Sequence, residues 1–173
     1  TKVAQSSFKT ADIGPRVMTV GGVTNVRDLG GYETSFGKTT LQGLAFRGAQ
    51  LDIKGVSRLT AQGAELLGTD IALGLEIDLR TASETGGLTK SVVSSAAYLN
   101  SRIGSYTAAF SSSQKELFRQ IFASYADVKN YPIYVHCVYG ADRTGTVCYI
   151  LNALLGVDEK TLIQDYEFTT FSD

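Results

Sequence analysis

Tryptophan is absent from this 173-residue chain; histidine and methionine occur once each, and cysteine and proline twice each. Two cysteines cannot form the disulfide framework that staples small secreted domains. Cys148 sits in an apolar stretch that reads as buried helix, so two free thiols are expected. No apolar run approaches the roughly 18 residues that a membrane-spanning helix needs. Neither sign of charge prevails, with 16 Lys and Arg against 17 Asp and Glu. Binding to nucleic acid or to an anionic membrane through bulk charge is thereby excluded, and any anion must be gripped locally.

Repeats, low-complexity tracts and a linker between two cores are also missing. A single domain over residues 1–173 is expected, with 43% hydrophobic residues to fill its core. Residues 1–16, broken at Gly14-Pro15, read as a loosely packed entry segment. No signal peptide is visible and the first residue is Thr1, so removal of an upstream segment is expected.

Strand-like and helix-like stretches alternate. Residues 43–51, 72–80, 96–100 and 131–137 read as strands, the last a buried run bounded by Pro132. A short helix is expected over 59–68, ended by Gly68. Residues 81–96 read as mostly loop. Ser113 and Glu116 have capping-box spacing for a helix over 113–127, whose stripe of Phe118, Phe122 and Tyr125 is core. A further helix is predicted over 143–156 with Gly156 as its stop, and Asp158 is expected to cap a last one. The class is therefore α/β, with a parallel or mixed central sheet flanked by helices.

One stretch, "YVHCVYGADRTGTV" from Tyr134 to Val147, holds the single histidine and one cysteine side by side. It joins a strand to a helix through a turn. Helix N-termini expose unpaired N–H groups and positive potential, so Val138, Tyr139, Gly140, Ala141 and Asp142 are expected to cradle an anion. Cys137 stands at the base of that cradle, where thiol pKa values fall from about 8.5 to roughly 3.5–7.5. Arg143 offers a planar fork for two phosphate oxygens, and Thr144 a hydroxyl for the sulfur. The implied chemistry is phosphoryl transfer to Cys137 and hydrolysis of the cysteinyl-phosphate. No metal or other cofactor is called for, since His136 beside Cys137 is not a zinc-ligand spacing. His136 is expected to support the loop by hydrogen-bonding its backbone.

"HCVYGADRTG" resembles the His-Cys-x5-Arg-Thr signature of cysteine-dependent protein tyrosine phosphatases, and more closely that of bacterial tyrosine and lipid phosphatases. "NVRDLGGY" at 25–32, "LAFRGAQL" and "EIDLRTASE" follow in that family's order. The resemblance implies a tyrosine-phosphatase-like fold and a cytoplasmic or secreted bacterial phosphatase. Catalysis would then rest on Cys137 and Arg143, with Val138 to Thr144 binding phosphate and His136, Thr144 and Gly145 in support. Phosphorylated protein, phosphotyrosine first, or phospholipid would be the substrate.

Two departures from the family pattern matter. Ala141 stands where relatives carry lysine, which removes a contact to a polyanionic head group. No carboxylate occurs between Glu84 and Glu116, where the family's general acid is expected. Asp142 is the first substitute, as acid or as helix cap; Asp28 and Asp78 rank lower because each lies near an arginine, Arg27 and Arg80, as a structural ion pair would. Tyr139 is either a pocket wall or an exposed aromatic. A phosphoinositide phosphatase, a weakly catalytic phosphate-binding protein, an arsenate reductase and a sulfur transferase are the alternatives.

Overall fold

The computed structural model describes residues 15–171, so residues 1–14 of the entry segment lie outside it. Strands β1 (Arg16–Val17), β2 (Arg27–Asp28) and β3 (Ala45–Gly48) pair antiparallel in turn. A small hairpin of β4 (Asp52–Ile53) and β5 (Val56–Ser57) leads to helix α1 (Ala61–Glu65). Then come β6 (Leu75–Asp78), α2 (Ala82–Thr85), β7 (Ala97–Asn100), α3 (Lys115–Ala126), β8 (Ile133–His136), α4 (Asp142–Leu154) and α5 (Glu159–Glu167).

The six-stranded sheet has the order β1-β2-β3-β8-β6-β7, and β3, β8, β6 and β7 are parallel. β8 lies in the middle of that parallel set. Its C-terminal end is therefore flanked by the ends of β3 and β6, the place where open α/β sheets bind ligands. Side chains alternate across the sheet. Leu75, Ile77, Ile133 and Val135 join Ile121 and Tyr125 of α3 and Val147 and Cys148 of α4 in one core. Tyr134 faces the other way, into a second core with Phe46, Leu51, Leu67 and Leu73. Phe118 and Phe122 pack against the first core, as the helical stripe predicts.

Alternation in β6 does not produce a solvent-facing side. Glu76, Asp78 and the following Arg80 are fully buried, and ion pairs fill that face. Arg80 bridges Asp78 at 2.7 Å and Asp52 at 2.5 Å.

Three local expectations need correction. The helix expected to stop at Gly68 instead widens through Leu66–Asp70, where Ile71 N–H donates to Leu66 O, and it ends near Ala72 at φ 52°. Ser113 and Glu116 form no capping box: Gln114 precedes α3 without a side-chain cap, and Ser113 Oγ meets Ser111 Oγ instead. The reason is backbone shape. An N-cap needs extended φ/ψ, whereas Ser112–Gln114 wind into a 3₁₀ turn. A capping box does exist in the stretch expected to be loop, where Thr81, extended at the end of a strand, caps α2 with Glu84.

Candidate active site

Cys137 follows directly on the C-terminal end of β8, and α4 begins at Asp142, one residue earlier than predicted. The intervening loop makes a tight bend at Gly140, which has φ 68°. A Cβ there would overlap the carbonyl of Gly48, so glycine is required both for the backbone conformation and for the approach of β3.

Trans peptide units point their carbonyl and their N–H in opposite directions. Every loop carbonyl from Cys137 to Ala141 is held by a donor outside the bowl. Cys137 O accepts from His136 Nδ1 at 3.1 Å, and Val138 O from Gln50 N at 3.1 Å. Tyr139 O accepts from Asn25 Nδ2 at 3.0 Å, Gly140 O from Arg47 Nη2 at 2.8 Å and Ala141 O from Gly145 N at 2.6 Å. The opposing amides are thereby turned towards the sulfur, and the N–H groups of Gly140 and Thr144 are among the causes of its lowered pKa. This is an anion-binding nest at the head of a helix.

Cys137 is 4% exposed. Burial raises the pKa of its thiol, but the Thr144 hydroxyl and N–H, the charge of Arg143 and the Gly140 N–H outweigh burial and lower it overall. Thr144 Oγ1 is buried without a hydrogen-bond partner, and its hydroxyl is one of the groups that lower the Cys137 pKa. Gly145 is buried against Tyr166 of α5, and a Cβ there would press on that ring.

Arg143, whose charge helps to lower the Cys137 pKa, is gripped by Glu84, with Nη1 at 2.8 Å from Oε2 and Nη2 at 2.7 Å from Oε1. That bidentate bond holds the Glu84 carboxyl down to about 2, well below its usual range. In the sequence Glu84 reads only as the last carboxylate before a long gap. Its spacing as the N3 residue of a capping box is the signal that could have found it.

His136 is fully buried, and both its ring nitrogens face acceptors: Nδ1 the Cys137 carbonyl, Nε2 the Glu76 carboxylate at 2.8 Å. Both nitrogens can donate to these acceptors when the ring is an imidazolium. Burial disfavours that charge, but Asp78 and Glu76 outweigh it and raise the pKa. His136 thus supports the loop backbone as expected, with a carboxylate partner that the sequence did not reveal. Donor atoms of Glu76, Asp78 and His136 lie within 4.8 Å of one another, and all are engaged with Ser91, Arg80, Tyr98 or Cys137 O.

A cavity of about 480 Å³ opens beside Arg143, lined by Thr81, Ser83, Glu84, Gly104, Ser105, Tyr106, Asp142 and Arg143. Cys137 is not among its lining residues. Asp142 is exposed there, on the first turn of α4. Tyr139 is 76% exposed and is not among the residues lining this cavity. Asp28 and Asp78 are likewise not in it. Asp28 is buried and accepts from Gly30 N and Gly43 N, fixing the glycine turn; it makes no ion pair with Arg27, whose carboxylate is Asp165. Asp78 is bound to Arg80 and Tyr98, and although burial works against it, His136 and Arg80 hold its pKa low. Neither is placed to protonate a leaving group. Cys148 is fully buried and its thiol is pushed up by burial to about 12; both cysteines are free.

Comparison with known proteins agrees with this architecture. Among solved structures, the core catalytic domain of the PP-IP phosphatase SIW14 from S. cerevisiae, in complex with citrate, is similar at a TM-score of 0.52 and 14% identity. The match covers 73% of this chain and 71% of that chain, and at such identity it bears on the fold alone. No curated protein matches the chain in sequence. A family model described as the tyrosine phosphatase family matches residues 18–172. With nearly its whole length matched in this way, the chain belongs to the tyrosine phosphatase family.

Proposed function

We propose that the protein hydrolyses phosphomonoesters through a cysteinyl-phosphate on Cys137, with phosphotyrosine as the leading substrate. The observation that carries this reading is a loop at a helix start whose carbonyls from Cys137 to Ala141 are all held outward, which turns its amides towards a cysteine of lowered pKa. The thiolate attacks phosphorus, the P–O bond to the leaving group breaks, and the leaving oxygen takes a proton. Water then attacks the phosphorus, the P–S bond breaks, and inorganic phosphate leaves. Amides already aimed at the equatorial oxygens stabilise the transition state without reorganising.

Asp142 is the proposed acid, since it shares the cavity with Arg143 and is the lining carboxylate not tied to an arginine. The cavity wall also bears on the substrate. Among the described residues that line it, Arg143 is the one cation, offset by Glu84 and Asp142, and the remaining polar side chains are hydroxyls. That favours a single phosphoryl group over a polyphosphorylated ring or head group. The test is a turnover panel of aryl phosphate, phosphotyrosine peptide, phosphoserine peptide, phosphoinositides and inositol polyphosphates. Fastest kcat/KM on the phosphotyrosine peptide is expected; faster turnover of the polyphosphates would overturn the substrate assignment.

A further inference from the structure

Asp165 lies on α5, far along the chain from the loop, yet the loop's conformation leads back to it. Two of the outward carbonyls, those of Tyr139 and Gly140, are held by side chains from the β2–β3 side of the sheet, Asn25 just before β2 and Arg47 on β3 beside β8. Neither donor is free to turn. Arg47 Nη1 bonds Asp165 Oδ2 at 2.7 Å. Arg27 Nε bonds Asp165 Oδ1 at 3.0 Å, its Nη2 bonds the Asp165 carbonyl at 2.9 Å, and its Nη1 donates to Asn25 Oδ1. One carboxylate therefore orients both donors. With its acceptor oxygen taken by Arg27, Asn25 must present its amide N–H₂ to Tyr139 O.

The consequence at the sulfur follows from peptide planarity. The unit whose carbonyl belongs to Tyr139 carries the N–H of Gly140, one of the amides that lower the Cys137 pKa. Turning that carbonyl inward would withdraw the amide and place a lone pair beside the thiolate. Burial makes the arrangement rigid, with Arg27 and Arg47 at 0% and Asp165 at 5% exposure. Two guanidinium groups on one carboxylate also leave a net positive charge sealed beneath an anion site.

We propose that Asp165 is a positioning residue for the anion-binding loop, acting through Arg47 on Gly140 and through Arg27 and Asn25 on Tyr139. This rests on the phosphatase reading for its role in catalysis but not for its effect on the loop. Asp165 touches neither sulfur nor substrate; it sets which way two peptide units face.

Two variants test it. Asp165→Asn weakens the hold on both arginines and is expected to lower affinity for inorganic vanadate and phosphate at least tenfold. The pH midpoint for alkylation of Cys137 is expected to rise in the same variant. Because that substitution strands buried charge and can impair folding, Asn25→Gly provides the second arm. Asn25 has φ 59°, which glycine adopts freely, so this variant keeps the backbone and the ion pairs while deleting the donor to Tyr139. Near-native melting with weaker vanadate binding and a higher alkylation midpoint is expected. A folded Asn25→Gly protein with wild-type affinity and midpoint would overturn the proposal. Turnover by the unmodified chain judges the phosphatase reading separately, since the alkylation midpoint is readable without it.

Discussion

Glu84 holds Arg143 with both carboxylate oxygens, at 2.8 and 2.7 Å, from a helix of four residues that it also caps. The same side chain accepts the Thr81 N–H at 2.7 Å, so a strand end, a helix start and the loop's guanidinium meet on one group. The fork of Arg143 is thereby turned before any phosphate arrives.

Removing that grip should cost catalysis more than folding. A hydrogen bond to a charged group contributes about 1.5–3 kcal/mol, so Glu84→Gln is expected to lower kcat/KM on an aryl phosphate by roughly 10- to 100-fold. Steady-state kinetics beside a thermal melt would separate the two effects. Unchanged kcat/KM would show that Arg143 orients itself.

The same pair makes an acid-side prediction. Glu84 is held to about 2, below its ordinary value of 4.5. Its depressed pKa stabilises the folded chain fully above about 4.5, and that contribution is lost as pH falls towards about 2. The stability gap between wild type and Glu84→Gln should therefore be constant near neutrality and close over that window, as denaturant titrations at successive pH values would show.

Cys137 should react as a thiolate below the ordinary thiol range. Its iodoacetamide alkylation is expected to have a midpoint under about 8.5, and Thr144→Ala should move that midpoint up by removing a hydroxyl that lowers it. Activity should fall on the acid side of the same midpoint, where the sulfur gains its proton. Cys137→Ser should abolish turnover while still binding vanadate.

Asp142 is predicted to matter in proportion to the leaving group. Asp142→Asn should slow hydrolysis of a phosphotyrosine peptide by roughly 10²- to 10⁴-fold, with a smaller effect on an aryl phosphate whose phenolate leaves unaided. An unchanged rate on the phosphotyrosine peptide would exclude Asp142 as the acid.

Gly140→Ala should damage the loop itself. A residue with a Cβ pays about 1–2 kcal/mol in the left-handed region, and here the added carbon also meets the Gly48 carbonyl. A lowered melting temperature together with lost vanadate binding is expected.

The loop from His136 to Gly145 is legible in the sequence because its residues are contiguous, and contiguity fixes which groups share a turn. Its supports are not. Arg47 and Asp165 are separated by 118 positions, and Arg143 and Glu84 by 59, so only the folded sheet brings each pair together. Neighbours in sequence can also mislead: Arg27 and Asp28 suggest an ion pair, but adjacent strand positions face opposite ways, and each finds its partner elsewhere. Capping-box spacing occurs at Thr81–Glu84 and at Ser113–Glu116, and only the first follows an extended residue. Spacing states which bonds could form; backbone shape chooses between them.

Cys148 sits in the core with its thiol at about 12, out of reach of solvent and protonated at any pH the fold would meet in a cell. A maleimide or an electrophilic inhibitor added to the native protein therefore finds one reactive sulfur, although the chain contains two. Label stoichiometry becomes a direct gauge of integrity: one adduct per molecule reports an intact fold, and a second reports that the core has opened.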